Sequence, residues 1–294
     1  MRVGHFFVLL ASLFVITPAV ASAQLACPGV TPPAGGFPVV FVLNGNAFGP
    51  VRADGLAAQF ASAARSTNKV CTYVLSHSSM TGQAVFESQI IGPMNALATG
   101  AQATSHIINP RRFGIAGFSA GGILSLTALF RYSQTTNFTL KGGITYYGAD
   151  INMLYDFHTL RGSGAPIFGN QLFAAEKGSG AICNTASGPT NCGYFSRQIL
   201  SVLNTNMGGV TPAKLRYFSP LGALADVPIS AGVPSIYGCF GTADDNVVGG
   251  LSAHYTQLES DLYGAQSRIS MYNGGHGAAW TACPDSISWL TTVL

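Results

Sequence analysis

The stretch Phe113-Gly114-Ile115-Ala116-Gly117-Phe118-Ser119-Ala120-Gly121-Gly122 runs directly into Ile123-Leu124-Ser125-Leu126-Thr127-Ala128-Leu129-Phe130. An apolar run meets a serine flanked by glycines, and Ile123, Leu126 and Phe130 then recur near helical spacing. The order is strand, Gly-x-Ser-x-Gly, helix. Such a turn holds the serine in a strained conformation with its hydroxyl above a sheet, and a Cβ at either flanking glycine would clash across it. The pentapeptide alone is weak in a chain with 36 glycines, so its surroundings carry the argument.

Outward from this turn, short apolar runs bounded by Gly, Asn or Pro recur at Val39 to Leu43, Val70 to Leu75, Gly143 to Tyr147, Ser235 to Cys239 and Arg268 to Tyr272. Helix-like stretches lie between them: Gly55 to Arg65, Gly82 to Thr99, Gly121 to Tyr132, Ser252 to Leu262 and Ile287 to Val293. This alternation predicts an α/β fold with a mostly parallel central sheet flanked by helices. The pattern lapses from about 150 to 217, where Gly, Asn, Ser and Thr are frequent and a helix-like segment runs from Tyr194 to Leu203. That length is read as an insertion before the acid-bearing strand, either a lid or a surface excursion.

A serine nucleophile needs a base to take its proton and an acid to orient that base, expected here in the order Ser, Asp, His. Downstream, the strand Pro234 to Gly241 leads into Thr242-Ala243-Asp244-Asp245, and Arg268 to Tyr272 leads into Asn273-Gly274-Gly275-His276-Gly277. Ser119, an Asp at 244 or 245, and His276 would each follow the carboxyl end of a strand, where open α/β sheets bind ligands. An oxyanion hole needs two backbone N–H groups. Ala120, next after the serine, is one; Asn46, in the loop Asn44-Gly45-Asn46-Ala47, is the expected second, with Ala47 the next choice. His77, after another strand, and Trp280, four residues past His276, are candidates for lining the substrate pocket, as is Ala47. The aromatic residues Tyr146, Tyr147, Tyr155, Phe157, Phe168 and Phe173 form either an acyl subsite or ordinary core.

Composition bounds the rest. The 294 residues are 48% hydrophobic and 9% charged with a net charge of +3, which argues against disorder and against an electrostatic nucleic-acid binder. A mean hydropathy of +0.33 raises a membrane question, and the strongest apolar stretch is Phe6 to Val20. It follows Arg2, is short for a spanning helix, and precedes Ala21-Ser22-Ala23. The reading is a signal peptide over 1–23 and one domain over 24–294, secreted to an extracellular or periplasmic space and free of the membrane after cleavage. All six cysteines, Cys27, Cys71, Cys183, Cys192, Cys239 and Cys283, lie beyond that cut and predict three disulfides, with no zinc-type spacing among them. Asn137-Phe138-Thr139 fits a glycosylation sequon.

The chain resembles the α/β-hydrolase superfamily, in particular its secreted dienelactone-hydrolase-like, acetyl/feruloyl esterase and polyester hydrolase branch. The likeness rests on Gly117 to Gly122, Tyr217-Phe218-Ser219-Pro220-Leu221, Pro234 to Gly241 with Thr242-Ala243-Asp244, and Gly274-Gly275-His276-Gly277, which together span nearly the whole mature chain. The resemblance implies that Asp244, rather than Asp245, is the acid. It also implies a carboxylic ester hydrolase working through an acyl-enzyme without metal or organic cofactor. The expected substrate is a small-molecule or polymeric ester, such as an acylated carbohydrate or a polyester, taken by a monomer. A peptidase or amidase with the same residues and a catalytically silent binding protein are the rival readings. The chain departs from the family at Asn44-Gly45, where a His-Gly pair is usual, and at Phe240, where a His is common; it also lacks the His-Gly-Gly-Gly run of hormone-sensitive-lipase relatives. Cys239 precedes the acid loop and Cys283 follows the histidine loop, so their pairing would pin both. Cys183 with Cys192 follows by proximity and leaves Cys27 with Cys71.

Overall fold

A computed structural model describes residues 25–45, 55–77, 80–162, 199–224, 226, 234–244, 249–276 and 280–294. Seven strands form one sheet: β1 (Leu25–Ala26), β2 (Phe37–Leu43), β3 (Cys71–Leu75), β4 (Ile108–Phe118), β5 (Leu140–Tyr146), β6 (Ser235–Gly241) and β7 (Ser267–Tyr272). Their spatial order is β1-β3-β2-β4-β5-β6-β7, and every pair is parallel except β1 with β3. The predicted mostly parallel sheet is therefore present, with a two-residue antiparallel edge that no apolar run announced.

Parallel strands need helical crossovers, and these cover both faces of the sheet. All seven residues of β2 are buried, and they alternate between two cores. Phe37, Val39, Phe41 and Leu43 pack on the side of Phe86, Met94 and the helix Ala120–Tyr132, while Val40 and Val42 face Phe60 of the helix Leu56–Ser66 and Leu290 of the helix Ser286–Val293. A strand buried on both faces reads as a continuous apolar run because neither set of alternating side chains meets water. The helix Ala120–Tyr132 is buried from Gly121 to Phe130, as a helix must be when it lies between sheet and insertion.

Between β5 and β6 the described segments are the helices Ile151–Gly162 and Pro212–Phe218, the helical residues 199–206 and the short helix Pro220–Leu224. The predicted segment Tyr194 to Leu203 is thus described only from 199 onward. Asp150 caps the first helix by accepting the amide N–H groups of Asn152 and Met153 at 2.8 and 3.0 Å. Arg131 ties the helix Ala120–Tyr132 to Pro212–Phe218, donating to the carbonyls of Tyr217 at 2.6 Å and Arg216 at 2.9 Å and pairing with Asp226 at 2.9 Å. Phe168, Phe173, Cys183, Cys192 and the proposed leader lie outside the described residues.

Two disulfides join Cys27 to Cys71 and Cys239 to Cys283, as the sequence reading paired them. The first clamps the β1 edge to β3. Among the described residues no helix is long and apolar enough to cross a membrane.

Candidate active site

The strand order reverses at β2 and β4: the chain leaves β2 for β3 on one side and, from β4 on, builds β5 to β7 on the other. The loops that follow β2 and β4 therefore diverge and leave a crevice at their carboxyl ends. Ser119 stands there, one residue past β4, with φ 52° and ψ −118°. That is the left-handed side of the map, which a serine occupies only when its surroundings impose it. The surroundings are visible: the Ser119 N–H donates to the Tyr146 carbonyl at 2.9 Å, and its carbonyl accepts from Ile123 at 3.1 Å to start the helix. A Cβ on Gly117 would lie 2.0 Å from the Gly121 carbonyl oxygen, and one on Gly121 would lie 2.5 Å from that of Asn44. Strand, turn and helix approach too closely for any other residue at either place.

Asp244 and His276 arrive from the ends of β6 and β7. The two loops are laced together by Thr242 N–H to the Tyr272 carbonyl and Ala243 N–H to the Gly274 carbonyl, both 2.9 Å, and the Tyr272 hydroxyl donates to the Gly275 carbonyl at 2.8 Å. The Cys239–Cys283 disulfide closes the same unit from below. The result brings three side chains into line: His276 Nε2 is 2.8 Å from Ser119 Oγ, and His276 Nδ1 is 2.9 Å from Asp244 Oδ2. The Asp244 side chain is fully buried, whereas the imidazole keeps a partly open edge at 21% exposure. A hydroxyl bonded to an imidazole, itself bonded to a buried carboxylate, can transfer its proton to the ring while the carboxylate orients the ring and stabilises its cation.

Tyr147 completes the floor. It follows β5 with φ 39°, its N–H donates to the Cys239 carbonyl at 2.8 Å, and its ring meets the His276 imidazole edge to face at 4.8 Å between centroids. Burial, and then the neighbouring Tyr272 and Asp244 charges, push its phenol well above the usual tyrosine range. Burial followed by Asp244 pushes the Tyr272 phenol up to about 12. Both phenols are neutral at physiological pH, so neither sets an anion beside Asp244. Sequence reasoning placed Tyr147 at the end of a strand and among the aromatics of an acyl subsite or core; its place against His276 depends on the β5–β6 register, which local pattern does not reveal. Tyr146 is core, stacked on Phe118 at 4.6 Å with its hydroxyl 2.6 Å from Ser286 Oγ.

Ala120 is the first residue of its helix, next to Ser119, and its N–H has no hydrogen-bond acceptor among the described residues. Asn46, Ala47 and Asp245 lie outside the described residues. Gly45, just before them, packs against the nucleophile turn: a Cβ there would sit 3.0 Å from the Phe118 carbonyl oxygen and 3.1 Å from Ser119 Cβ. His77 is buried, and its Nε2 is 2.8 Å from the Asn44 carbonyl oxygen. Burial lowers its pKa, a shift that the hydrogen bond to Asn44 partly opposes. The Trp280 ring rests edge to face on Phe60 at 6.3 Å. Asn137 is exposed, with its side-chain amide donating to Asn95 Oδ1 at 3.2 Å. The motif Ser219-Pro220 has a structural use: Ser219 Oγ lies 2.5 Å from Asp150 Oδ2 and accepts the Gly222 N–H at 3.1 Å, starting the helix Pro220–Leu224.

No family model matches the chain, and no curated protein matches it in sequence. Solved structures do match in shape. A truncated carbohydrate esterase from gut microbiota superposes with a TM-score of 0.58 over 93% of both chains at 18% identity. A thermostable esterase from Pseudomonas putida gives 0.56 over 92% of this chain and 76% of its own at 13% identity. A thermophilic esterase from Thermogutta terrifontis, with propionate bound, gives 0.55 over 92% and 93% at 14% identity. Identities this low carry the fold and nothing finer. With the reversal of strand order at β2 and β4 and the helices on both faces, they show that this chain has the α/β-hydrolase fold.

Proposed function

We propose that the protein is a secreted serine hydrolase that cleaves carboxylic esters, with Ser119 as nucleophile, His276 as general base and acid, and Asp244 as the orienting acid. The observation that carries the reading is the unbroken hydrogen-bond chain from Ser119 Oγ through both ring nitrogens of His276 to Asp244. It runs between three loops at one edge of the sheet. The esterase names of the structural neighbours agree with it.

In this mechanism His276 Nε2 takes the Ser119 proton as Oγ attacks the ester carbonyl. The tetrahedral oxyanion is held by the amides of Ala120 and Asn46. Collapse expels the alcohol, which leaves with the proton from His276, and an acyl-Ser119 ester remains. Water, deprotonated by the same imidazole, attacks that ester, and the acid departs as Ser119 recovers its proton. Asp244 orients the ring through Nδ1 throughout. The substrates are esters of the acylated-carbohydrate or polyester kind. Secretion is supported by the order of charged, apolar and small residues over 1–23 and by the two disulfides, which persist in oxidising compartments.

The test is a fluorophosphonate probe combined with a panel of p-nitrophenyl esters, acetylated xylan, an insoluble polyester and an anilide. The expected result is a single adduct on Ser119 and turnover of esters well above that of the anilide. A folded protein that takes no adduct at Ser119 overturns the proposal.

A further inference from the structure

We propose that His77 is a positioning residue that fixes the oxyanion-forming loop against the nucleophile turn, an inference that rests on the serine-hydrolase reading above. His77 and Asn44 are 33 residues apart in the chain and meet because β2 and β3 are neighbours with Leu43 opposite Leu75. His77 Nε2 is 2.8 Å from the Asn44 carbonyl oxygen. A carbonyl only accepts, so Nε2 carries the proton and the ring donates. Nδ1 is then a bare acceptor, buried and without a hydrogen-bond partner among the described residues. An imidazole with one orphaned nitrogen is a poor choice for simple filling, since an aliphatic side chain would occupy the space without that desolvation cost. What the imidazole supplies is a hydrogen bond to the carbonyl of the peptide group that joins Asn44 to Gly45.

That peptide is confined on its other side as well. The Asn44 carbonyl stands above Gly121, which has no room for a Cβ, and Gly45 rests on the Phe118 carbonyl and Ser119 Cβ. The Gly45 N–H is occupied by Asn44 Oδ1 at 3.1 Å, so Gly45 itself is not the second oxyanion donor, and the proposed donor at Asn46 is the next amide along the chain. His77 and the Ser119 turn therefore hold the Asn44–Gly45 peptide, from which the chain continues to Asn46. His77 thus brings an imidazole to the loop after β2 from the end of the neighbouring strand β3.

The experiment compares His77→Leu, which keeps bulk and removes the donor, with His77→Gln, whose amide Nε2–H can reach the same carbonyl. Three quantities are read: kcat and KM on p-nitrophenyl acetate, the thermal midpoint, and the affinity of a trifluoromethyl ketone, which forms an oxyanion-bearing adduct with a serine nucleophile. A mispositioned donor weakens transition-state binding and spares ground-state binding. For His77→Leu the expected result is a kcat lower by about 10²-fold, the low end of what loss of one oxyanion donor costs, with KM within about twofold and ketone affinity reduced by the same factor as kcat. His77→Gln is expected to recover most of both. Unchanged kcat in a folded His77→Leu, a kcat loss without a matching loss of ketone affinity, or a His77→Gln variant as impaired as His77→Leu overturns the proposal. In the wild-type protein, nitrogen-15 spectra of His77 supply a readout that no variant's folding can confound: the neutral Nε2–H tautomer is expected, and the Nδ1–H tautomer overturns the inference. Failure of the parent reading is separately visible, because it would leave Ser119 of the wild-type protein unlabelled by the fluorophosphonate probe.

Discussion

The two disulfides form a matched pair of perturbations, because each closes a loop of the same length. Cys27 to Cys71 and Cys239 to Cys283 are both 44 residues apart, and the two loops do not overlap. Chain entropy therefore assigns them the same stabilisation. A closed loop of that size removes about 13 cal/mol/K from the unfolded chain, or about 4 kcal/mol at about 25 °C. Deleting either bond by a double Cys→Ala substitution should lower the thermal midpoint by roughly 8–16 °C for a domain of this size. Their effects on turnover should differ. Cys27–Cys71 holds the β1 edge, remote from Ser119. Cys239–Cys283 binds the strand that carries Asp244 to the chain just beyond His276. Without it the loops remain laced by the β6–β7 ladder from Ile236↔Ser267 to Gly241↔Tyr272 and by the Thr242 and Ala243 amides. The expected displacement is consequently a fraction of an ångström, and kcat should fall on the order of tenfold, short of the 10²-fold that a full ångström costs. The assay is calorimetry on both double variants, then ester turnover at a temperature well below both midpoints. Equal kcat in the two variants would refute the assignment of a catalytic role to Cys239–Cys283, and a several-fold difference in their midpoint shifts would refute the entropic account.

Three further outcomes are expected. Ser119→Ala and His276→Ala should each lower ester turnover by at least about 10³-fold, and Asp244→Asn by a comparable factor, with circular dichroism unchanged; full activity in any one removes it from the proposed triad. Gly121→Ala forces a Cβ to within 2.5 Å of the Asn44 carbonyl and 2.8 Å of the Leu43 carbonyl, both backbone atoms, so it should cost about 1–3 kcal/mol in denaturant unfolding and depress kcat, and a wild-type midpoint with wild-type kcat would contradict that geometry. Glu259 is fully buried beside Asp150, and burial, then the Asp150 charge, raises its pKa well above the carboxylate range. Burial disfavours the charged form, so Glu259 holds its proton in the folded chain. The folded chain thus keeps a proton that the unfolded chain releases, and stability should fall as pH rises from the ordinary carboxylate range toward the folded pKa. Glu259→Gln, which is neutral at every pH and keeps the shape, should flatten that slope, and parallel pH–midpoint curves for the two proteins would show that Glu259 is not its source.

How much of this was legible in the sequence follows from which features are local. β2 could be read from Val39 onward because a strand buried on both faces leaves an unbroken apolar run. β4 was read only from Phe113, although it begins at Ile108, because Asn109-Pro110-Arg111-Arg112 includes exposed and half-buried residues and carries no apolar signal. β1 has two residues and no period at all; Cys27, one position beyond it, was the only mark of that edge. The π-helical turn Glu87–Ile91 inside the run from Gln83 to Thr99 was invisible for a related reason, since a single wide turn leaves the apolar recurrence of its flanks intact.

The site divides along the same line. Ser119, an Asp at 244 or 245, and His276 were each readable as candidates because each follows a recognisable strand, and in a parallel sheet that position alone places a residue at the carboxyl edge, where such sheets bind ligands; the choice of Asp244 came from the family resemblance. His77 also follows a strand, and the same rule made it a pocket candidate. The rule says which edge a residue reaches and nothing about its neighbour on that edge. The neighbour is decided by strand order and register: β3 lies beside β2 with Leu75 opposite Leu43, so the residues just past each strand end, His77 and Asn44, come into hydrogen-bonding distance. The same step from edge to register puts the Tyr147 amide on the Cys239 carbonyl and its ring on His276. In this fold the proposed reacting groups are announced by their own strands, whereas the groups packed against them are announced only by pairs of strands. A local reading therefore finds the three residues of the proposed triad and passes over the contacts that surround them, and His77 and Tyr147 are the two positions where that difference is largest.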